Sequence, residues 1–271
     1  MKAVYLPDQQ SFLRFAEVPG ADPPLLWIHG WQCTSTGELL ETAVRPELSG
    51  RRSLLIDLLG HGYSDRPDSF SYSMKDHAAT IVTLIDSLGL TGCGIVGHSM
   101  GASIAINVAA ARPDVVSRLV LAEGGPEIAE PAPDDGGMMD GQSEADFVST
   151  GYPELLAELA DGGRADHAGV PAVHVGITRL VDPRAIHREA VSMDTDDDRE
   201  LARVLVGLDI PRWYLQGELS DPEPEYEKFL ADSGIGFRIV PGVGHPMGIQ
   251  NPAGFAATVA DVVAQSWTPG A

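Results

Sequence analysis

Opening an acyl bond takes a nucleophile, a base and an oxyanion site, and this chain offers candidates for all three beside glycines at predicted strand ends. Ser99 stands in Gly97-His98-Ser99-Met100-Gly101, a G-x-S-x-G arrangement. Before it runs the short β-prone segment Gly94-Ile95-Val96. After it, Ser103 to Ala111 is alanine-rich, lacks glycine and proline, and stops before Pro113. The spacing predicts that the serine falls on the turn between a strand and a helix. Such a turn crowds the backbone, and the two glycines relieve the crowding while leaving the hydroxyl exposed. A serine hydroxyl is a poor nucleophile until a base takes its proton. The reading therefore calls for a histidine, an orienting carboxylate and two N–H donors elsewhere.

Of eight histidines, His245 has the best context for the base. It lies in Val243-Gly244-His245-Pro246, after the last predicted strand and before the closing helix. His29, His61 and His98 also adjoin glycines and read as turn residues that bond backbone near the site. His77, His167, His174 and His187 read as surface or insertion residues. For the carboxylate, Asp221 is the choice: it follows Trp213-Tyr214-Leu215 in Gln216-Gly217-Glu218-Leu219-Ser220-Asp221, where local amides can hold it against the imidazole. Glu123, at the end of an earlier strand, is the rival, while Glu218 reads as a surface residue. Asp57 reads as a structural partner of the turn Gly60-His61-Gly62. The oxyanion needs two backbone N–H groups. Met100, directly after the serine, supplies one, and Trp31 in His29-Gly30-Trp31 supplies the other. The Trp31 indole has a competing use in packing its loop against the rest of the chain.

The elements that must hold these residues alternate along the chain. Leu25 to Ile28, Ser53 to Ile56, Leu119 to Leu121, Trp213 to Leu215 and Phe237 to Val240 read as buried strands. Ile81, Leu84, Ile85 and Leu88 recur at helical spacing before the stop signal Gly89, and Pro252 to Val263 reads as the closing helix. Strand–helix alternation predicts an α/β fold with a largely parallel sheet covered on both faces. The alternation breaks at 126–207. That stretch opens with Pro131, Pro133, Gly136 and Gly137, and Pro153 to Ala160 and Pro183 to Met193 have helical character with proline in the first turn. It is expected to be a mostly helical cap entered by a mobile loop, inserted into a core of 1–125 and 208–271.

Net charge narrows the partners. Eighteen basic residues against 39 acidic give −21, which opposes nucleic acid and anionic membrane surfaces as partners. Residues 126–207 carry six basic and 18 acidic residues, a net −12. This reads as a solvated outer face, and if the acids line an entrance they disfavour anionic substrates. No apolar run approaches the ~20 residues needed to span a bilayer, and the N-terminal stretch lacks a secretory apolar core, so a soluble cytoplasmic protein is expected. Cys33 and Cys93 form no disulfide framework and read as small buried or half-buried residues.

Taken together, His29-Gly30-Trp31, the run Asp57 to Pro67, Gly97-His98-Ser99-Met100-Gly101 and Gly244-His245 resemble the α/β-hydrolase superfamily over nearly the whole core. The resemblance implies an eight-stranded, mainly parallel sheet flanked by helices, a cap inserted after strand 6, and a Ser-acid-His triad working without metal or organic cofactor. Within the superfamily the chain is similar to small esterases, lactonases, carbon–carbon hydrolases and cofactor-free haloperoxidases. Serine in place of aspartate at the turn separates it from epoxide hydrolases and haloalkane dehalogenases. Relatives usually space glycine and aspartate three apart in the acid motif, whereas Gly217 and Asp221 are four apart, and some carry the acid where Glu123 stands. The expected function is a serine hydrolase for a small ester, lactone or related acyl substrate. Alternatives are a lyase, cyclase or acyltransferase, or a ligand-binding receptor of the same fold.

Overall fold

A computed structural model describes residues 1–128, 138–139, 141–161 and 171–265. The loop residues Pro131, Pro133, Gly136 and Gly137, and His167, lie outside the described residues. Strands β1 (Lys2–Leu6) and β2 (Ser11–Val18) form an antiparallel hairpin at one edge of the sheet. They precede β3 (Ala21–Ile28), the short helices α1 (Ser35–Glu38) and α2 (Leu40–Ala43), β4 (Arg51–Asp57), α3 (Met74–Leu88), β5 (Cys93–His98), α4 (Met100–Ala111) and β6 (Val116–Ala122). After β6 come α5 (Glu144–Asp146), a π-helical turn at Phe147–Gly151, α6 (Tyr152–Ala160), α7 (Pro171–Thr178), α8 (Pro183–Thr195) and α9 (Asp198–Gly207). The sheet resumes with β7 (Arg212–Gly217), α10 (Pro224–Asp232), β8 (Gly236–Val240), α11 (Met247–Gln250) and α12 (Pro252–Ala264).

The eight strands pair in the order β1-β2-β4-β3-β5-β6-β7-β8; β3 to β8 run parallel to one another, while β4 meets β2 antiparallel. Alternation along the central strands sends side chains to opposite faces. Leu26, Ile28, Ile95, Leu119 and Leu121 enter the core beneath α3 and α4. Leu25, Trp27, Val96, Val120 and Leu215 enter the core on the other face, with Val259 and Val263 of α12. Both faces are thus dry, as a parallel sheet requires. Helix α3 begins where Ser73 accepts a hydrogen bond from the Asp76 N–H and ends at Gly89, in the left-handed region at φ 61°. Its buried stripe includes Ile81, Leu84 and Ile85, whereas Leu88 at the last turn is exposed.

The helices between β6 and β7 rest on the strand-end loops of the core. His61 forms a β-bridge with Val181, the Gly62 N–H donates to the Leu180 carbonyl at 2.9 Å, and the Asp182 N–H donates to the Gly60 carbonyl at 2.8 Å. Arg188 of α8 donates to the Phe70 carbonyl at 2.7 Å. Backbone pairing, not side-chain contact alone, therefore ties this insertion to the loop after β4.

Candidate active site

Ser99 occupies the turn between β5 and α4 in the left-handed region, at φ 51° and ψ −123°. That conformation costs an L-residue roughly 1–2 kcal/mol and survives only where surroundings fix it. They do so through the Ser99 N–H, which bonds the Ala122 carbonyl at 2.8 Å. A Cβ on Gly97 would sit 2.3 Å from the Gly101 carbonyl oxygen, and one on Gly101 would sit 2.5 Å from that of Ile28. Close backbone approach therefore requires glycine on both sides of the serine. The loop after β8 brings His245 over this turn, with Nε2 3.1 Å from Ser99 Oγ. Glu123 follows β6, the strand next to β5, and is itself left-handed at φ 48°. Its Oε2 lies 3.8 Å from His245 Nδ1, an ion-pair distance. Its Oε1 accepts from the Gly217 N–H and from Ser220 Oγ, each at 2.6 Å. Burial raises the Glu123 pKa, but the nearby His245 and the hydrogen bonds from Ser220 and Gly217 win and hold it below the usual carboxylate range.

Asp221 stands elsewhere. It is exposed, and its backbone carbonyl accepts a hydrogen bond from Gln216 Nε2 at 3.0 Å. The end of β7 and the turn after it, where Asp221 was expected to supply the acid, instead contribute two hydrogen-bond donors to Glu123. Glu218 is exposed and accepts from the Gly242 N–H at 2.8 Å.

Met100 opens α4, so its N–H is among the four that a helix leaves without an intrahelical acceptor. Gly30 lies against the serine: a Cβ there would be 3.2 Å from Ser99 Cβ. Trp31 follows it, and its indole Nε1 donates to the Ile186 carbonyl of α8 at 3.0 Å, so the side chain packs its loop on the insertion. Asp57, fully buried, accepts from the Ser35 and Tyr63 N–H groups at 3.0 and 3.1 Å, joining the loop after β3 to the turn after β4. Burial pushes its pKa up to about 6, with those amides opposing.

The other histidines have structural surroundings. His29 Nε2 accepts from the Leu58 N–H at 3.2 Å, so its proton sits on Nδ1 and donates to the Gly30 carbonyl at 2.8 Å. Burial and the neighbouring His61 bring its pKa down to about 3. His77, expected at the surface, is fully buried, because Glu189 of α8 reaches down to it at 3.0 Å; the same Oε1 lies 2.7 Å from His61 Nε2. His174 and His187 lie in α7 and α8 of the insertion. Cys33 and Cys93 are free and buried. Among the described residues, no group of three or more His, Cys, Asp or Glu side chains is arranged to hold a metal ion, and no helix is long and apolar enough to cross a membrane.

The profile of the alpha/beta hydrolase fold family matches residues 23–169, more than half of the chain. The chain belongs to this family. Among curated relatives, it is 40% identical over 106 residues to the 2-hydroxymuconate semialdehyde hydrolase of Pseudomonas sp. (strain CF600), covering 38% of this chain and 36% of that protein. It is 36% identical over 101 residues to the sn-1-specific diacylglycerol lipase ABHD11 of Mus musculus, covering 37% and 32%. These matches span about a third of the relatives' own length. The α/β-hydrolase architecture extends to the whole chain by structural comparison. The enol-lactonase from Burkholderia xenovorans LB400 superposes with TM-score 0.77 over 97% of this chain and all of that one, at 21% identity. The bromoperoxidase from Bacillus anthracis gives 0.78 over 97% and 99%, at 18% identity. At such identities the likeness is one of fold.

Ser99, Glu123 and His245 of this α/β-hydrolase line one cavity of about 1420 Å³ that extends between the sheet edge and α9. Apolar residues such as Met74, Met193, Leu201 and Val204 share its lining with a group of acids. Asp196, Asp198, Glu200, Glu223 and Glu225 face it, and Lys75 is the one basic residue among the described residues lining it. Clustered acids read from the sequence as a solvated outer face thus stand in the cavity wall. Asp198 and Glu223 have raised pKa values, from burial first and from neighbouring carboxylates second.

Proposed function

We propose that this α/β-hydrolase-fold protein is a serine hydrolase cleaving a small, uncharged ester, lactone or related acyl substrate through an acyl-enzyme. The observation carrying this reading is the 3.1 Å contact of His245 Nε2 with Ser99 Oγ at the wall of a substrate-sized cavity. His245 takes the Ser99 proton as Oγ attacks the carbonyl carbon, and the carbonyl π electrons move onto oxygen. The backbone N–H groups of Trp31 and Met100 hold that oxyanion. Glu123 steadies the imidazolium and keeps the proton on Nδ1 in the resting base. Collapse of the intermediate breaks the bond to the leaving group, which receives the proton from His245 Nε2. Water, deprotonated by the same nitrogen, then releases the acid and regenerates Ser99. Glu123 is preferred to Asp221 as the acid because only its carboxylate approaches His245 Nδ1. Residues 126–207 serve as the cap over the site, and its acidic walls favour neutral substrates over anionic ones.

Labelling with a fluorophosphonate, read by intact mass, tests the proposal, followed by a panel of acyl-chain esters and lactones. One adduct on the wild-type protein, lost in Ser99→Ala, is the expected result. A folded wild-type protein that takes no adduct, or a Ser99→Ala variant that still turns over ester, would overturn the serine mechanism. Acyl transfer without hydrolysis, or a single slow acylation, would redirect the function to a transferase or a receptor.

A further inference from the structure

Behind the reacting residues lies a buried carboxylate that the mechanism above does not use. Glu38 ends α1, and its side chain is only 1% exposed. Its Oε2 accepts from the Gly30 N–H at 3.0 Å, in the loop that carries Trp31. Its Oε1 lies 2.5 Å from Nδ1 of His98, the residue before the nucleophile. His98 in turn places Nε2 2.8 Å from the His245 carbonyl oxygen, to which it donates. The Glu38 main chain reaches the same loop, since a Cβ on Gly248, three residues beyond His245, would be 2.6 Å from the Glu38 carbonyl oxygen. One carboxylate thus touches, directly or through one imidazole, the oxyanion loop, the nucleophile turn and the base loop.

An unpaired buried carboxylate is costly, so its retention needs a compensating arrangement. Here the compensation is charge. Burial alone pushes the Glu38 pKa up, yet His98 and the Gly30 amide bring it down to about 2. Burial alone pushes His98 down, yet Glu38 and the His245 carbonyl leave it raised. Both shifts favour the charged forms, and the geometry agrees: Glu38 Oε1 and the His245 carbonyl oxygen, both acceptors, lie on either side of the ring, an arrangement suited to an imidazolium.

We propose that Glu38 is a positioning residue for the Ser99 reaction, setting the Gly30–Trp31 amides and, through His98, the His245 loop relative to Ser99 Oγ. This rests on Ser99 and His245 being the nucleophile and base. Misplacing reacting groups by about 1 Å can cost 10²-fold in rate while leaving substrate binding largely alone. A glutamine at 38 keeps the chain of contacts: its carbonyl accepts from Gly30, its amide donates to neutral His98 Nδ1, and Nε2–H still donates to the His245 carbonyl. An alanine breaks both contacts.

The test measures kcat and KM separately on one ester for wild type, Glu38→Gln, Glu38→Ala and the double variant Glu38→Gln/His98→Phe, with Ser99→Ala as control. The double variant buries no unpaired charge and keeps the Gly30 contact while removing the tie to His245. Expected are a fall in kcat of about 10²-fold for Glu38→Ala with KM within about threefold, rescue to within about threefold by Glu38→Gln, and a fall of about tenfold or more for the double variant. A folded Glu38→Ala with wild-type kcat overturns the proposal. Should that variant fail to fold, a double variant turning over as fast as Glu38→Gln overturns it. If Ser99→Ala is itself active, the underlying serine reading fails instead, and the two failures are distinguished.

Discussion

Replacing Glu123 by glutamine should slow turnover far more than replacing Asp221 by asparagine. In Glu123→Gln the side-chain carbonyl can still accept from the Gly217 N–H and Ser220 Oγ, which now sit 2.6 Å from Oε1. The new amide then points at His245 Nδ1, and two N–H groups face each other unless the imidazole moves its proton to Nε2. A proton on Nε2 faces Ser99 as a donor, so the base is lost. Charge is lost as well. At 3.8 Å, a carboxylate and an imidazolium attract by about 4 kcal/mol at an effective dielectric of ~20. The His245 side chain is 36% exposed, and solvent screening lowers this to roughly 2–3 kcal/mol, or about 30- to 200-fold in rate. The tautomer penalty makes that a lower limit. The assay is kcat/KM on a chromogenic ester together with the second-order rate of fluorophosphonate inactivation, with thermal unfolding as a check on folding. Asp221→Asn should stay within about threefold of wild type on both. A Glu123→Gln enzyme within threefold of wild type, or an Asp221→Asn enzyme as slow as it, would refute the assignment.

Gly124→Ala should unfold or inactivate the protein, since the new Cβ would lie 2.3 Å from the Ser99 carbonyl oxygen, whereas Gly176→Ala, exposed in α7 with nothing within 4 Å, should raise stability by about 0.5–1 kcal/mol in denaturant titration. Burial pushes the Glu189 pKa up to about 7, above its unfolded value, so the folded state holds the extra proton and its stabilisation is lost as pH rises through that value. His61 and His77, lowered by burial, act in the opposite sense. Compared with Glu189→Gln, wild type should therefore lose Tm progressively between about pH 4.5 and 7; a constant difference over that range would refute the buried-proton reading. An ester bearing a free carboxylate should show kcat/KM at least about tenfold below its neutral isostere at low salt, the gap narrowing on addition of salt. Equal rates at low salt would mean that the acidic wall does not act on the substrate.

The pairing of the candidates Ser99 and His245 was legible because their signals are local. Small residues beside Ser99 and a strand-to-helix change around it are properties of a few consecutive positions, and the same holds for His245. The carboxylate beside His245 was legible only as a pair of candidates, since both follow strands. What separates them is that Glu123 follows β6, directly beside the strand that leads to Ser99, while Asp221 lies beyond β7. Strand order is set by packing rather than by residues near either acid. The β1–β2 hairpin was not read from local pattern, and eight strands were expected only through the family resemblance. His77 was misread for a related reason. Its burial depends on Glu189, 112 positions away in α8, and neither residue alone signals that it will be enclosed. Glu38, four residues after Thr34 in a polar stretch, looks like an exposed helix-end acid until the fold closes His98 over it.

Glu123 and Gly124 have a practical bearing on recombining this domain with others. The chain leaves the sheet for its helical insertion immediately after Glu123, and Gly124 is pressed against the Ser99 backbone. An exchange of the insertion between homologous proteins that cuts at the end of β6 would therefore carry away Glu123 and the glycine seated under Ser99. The seam for a working chimera falls after Gly125 on one side and before Arg212 on the other, so that a foreign insertion arrives with Ser99, Glu123 and His245 still held together.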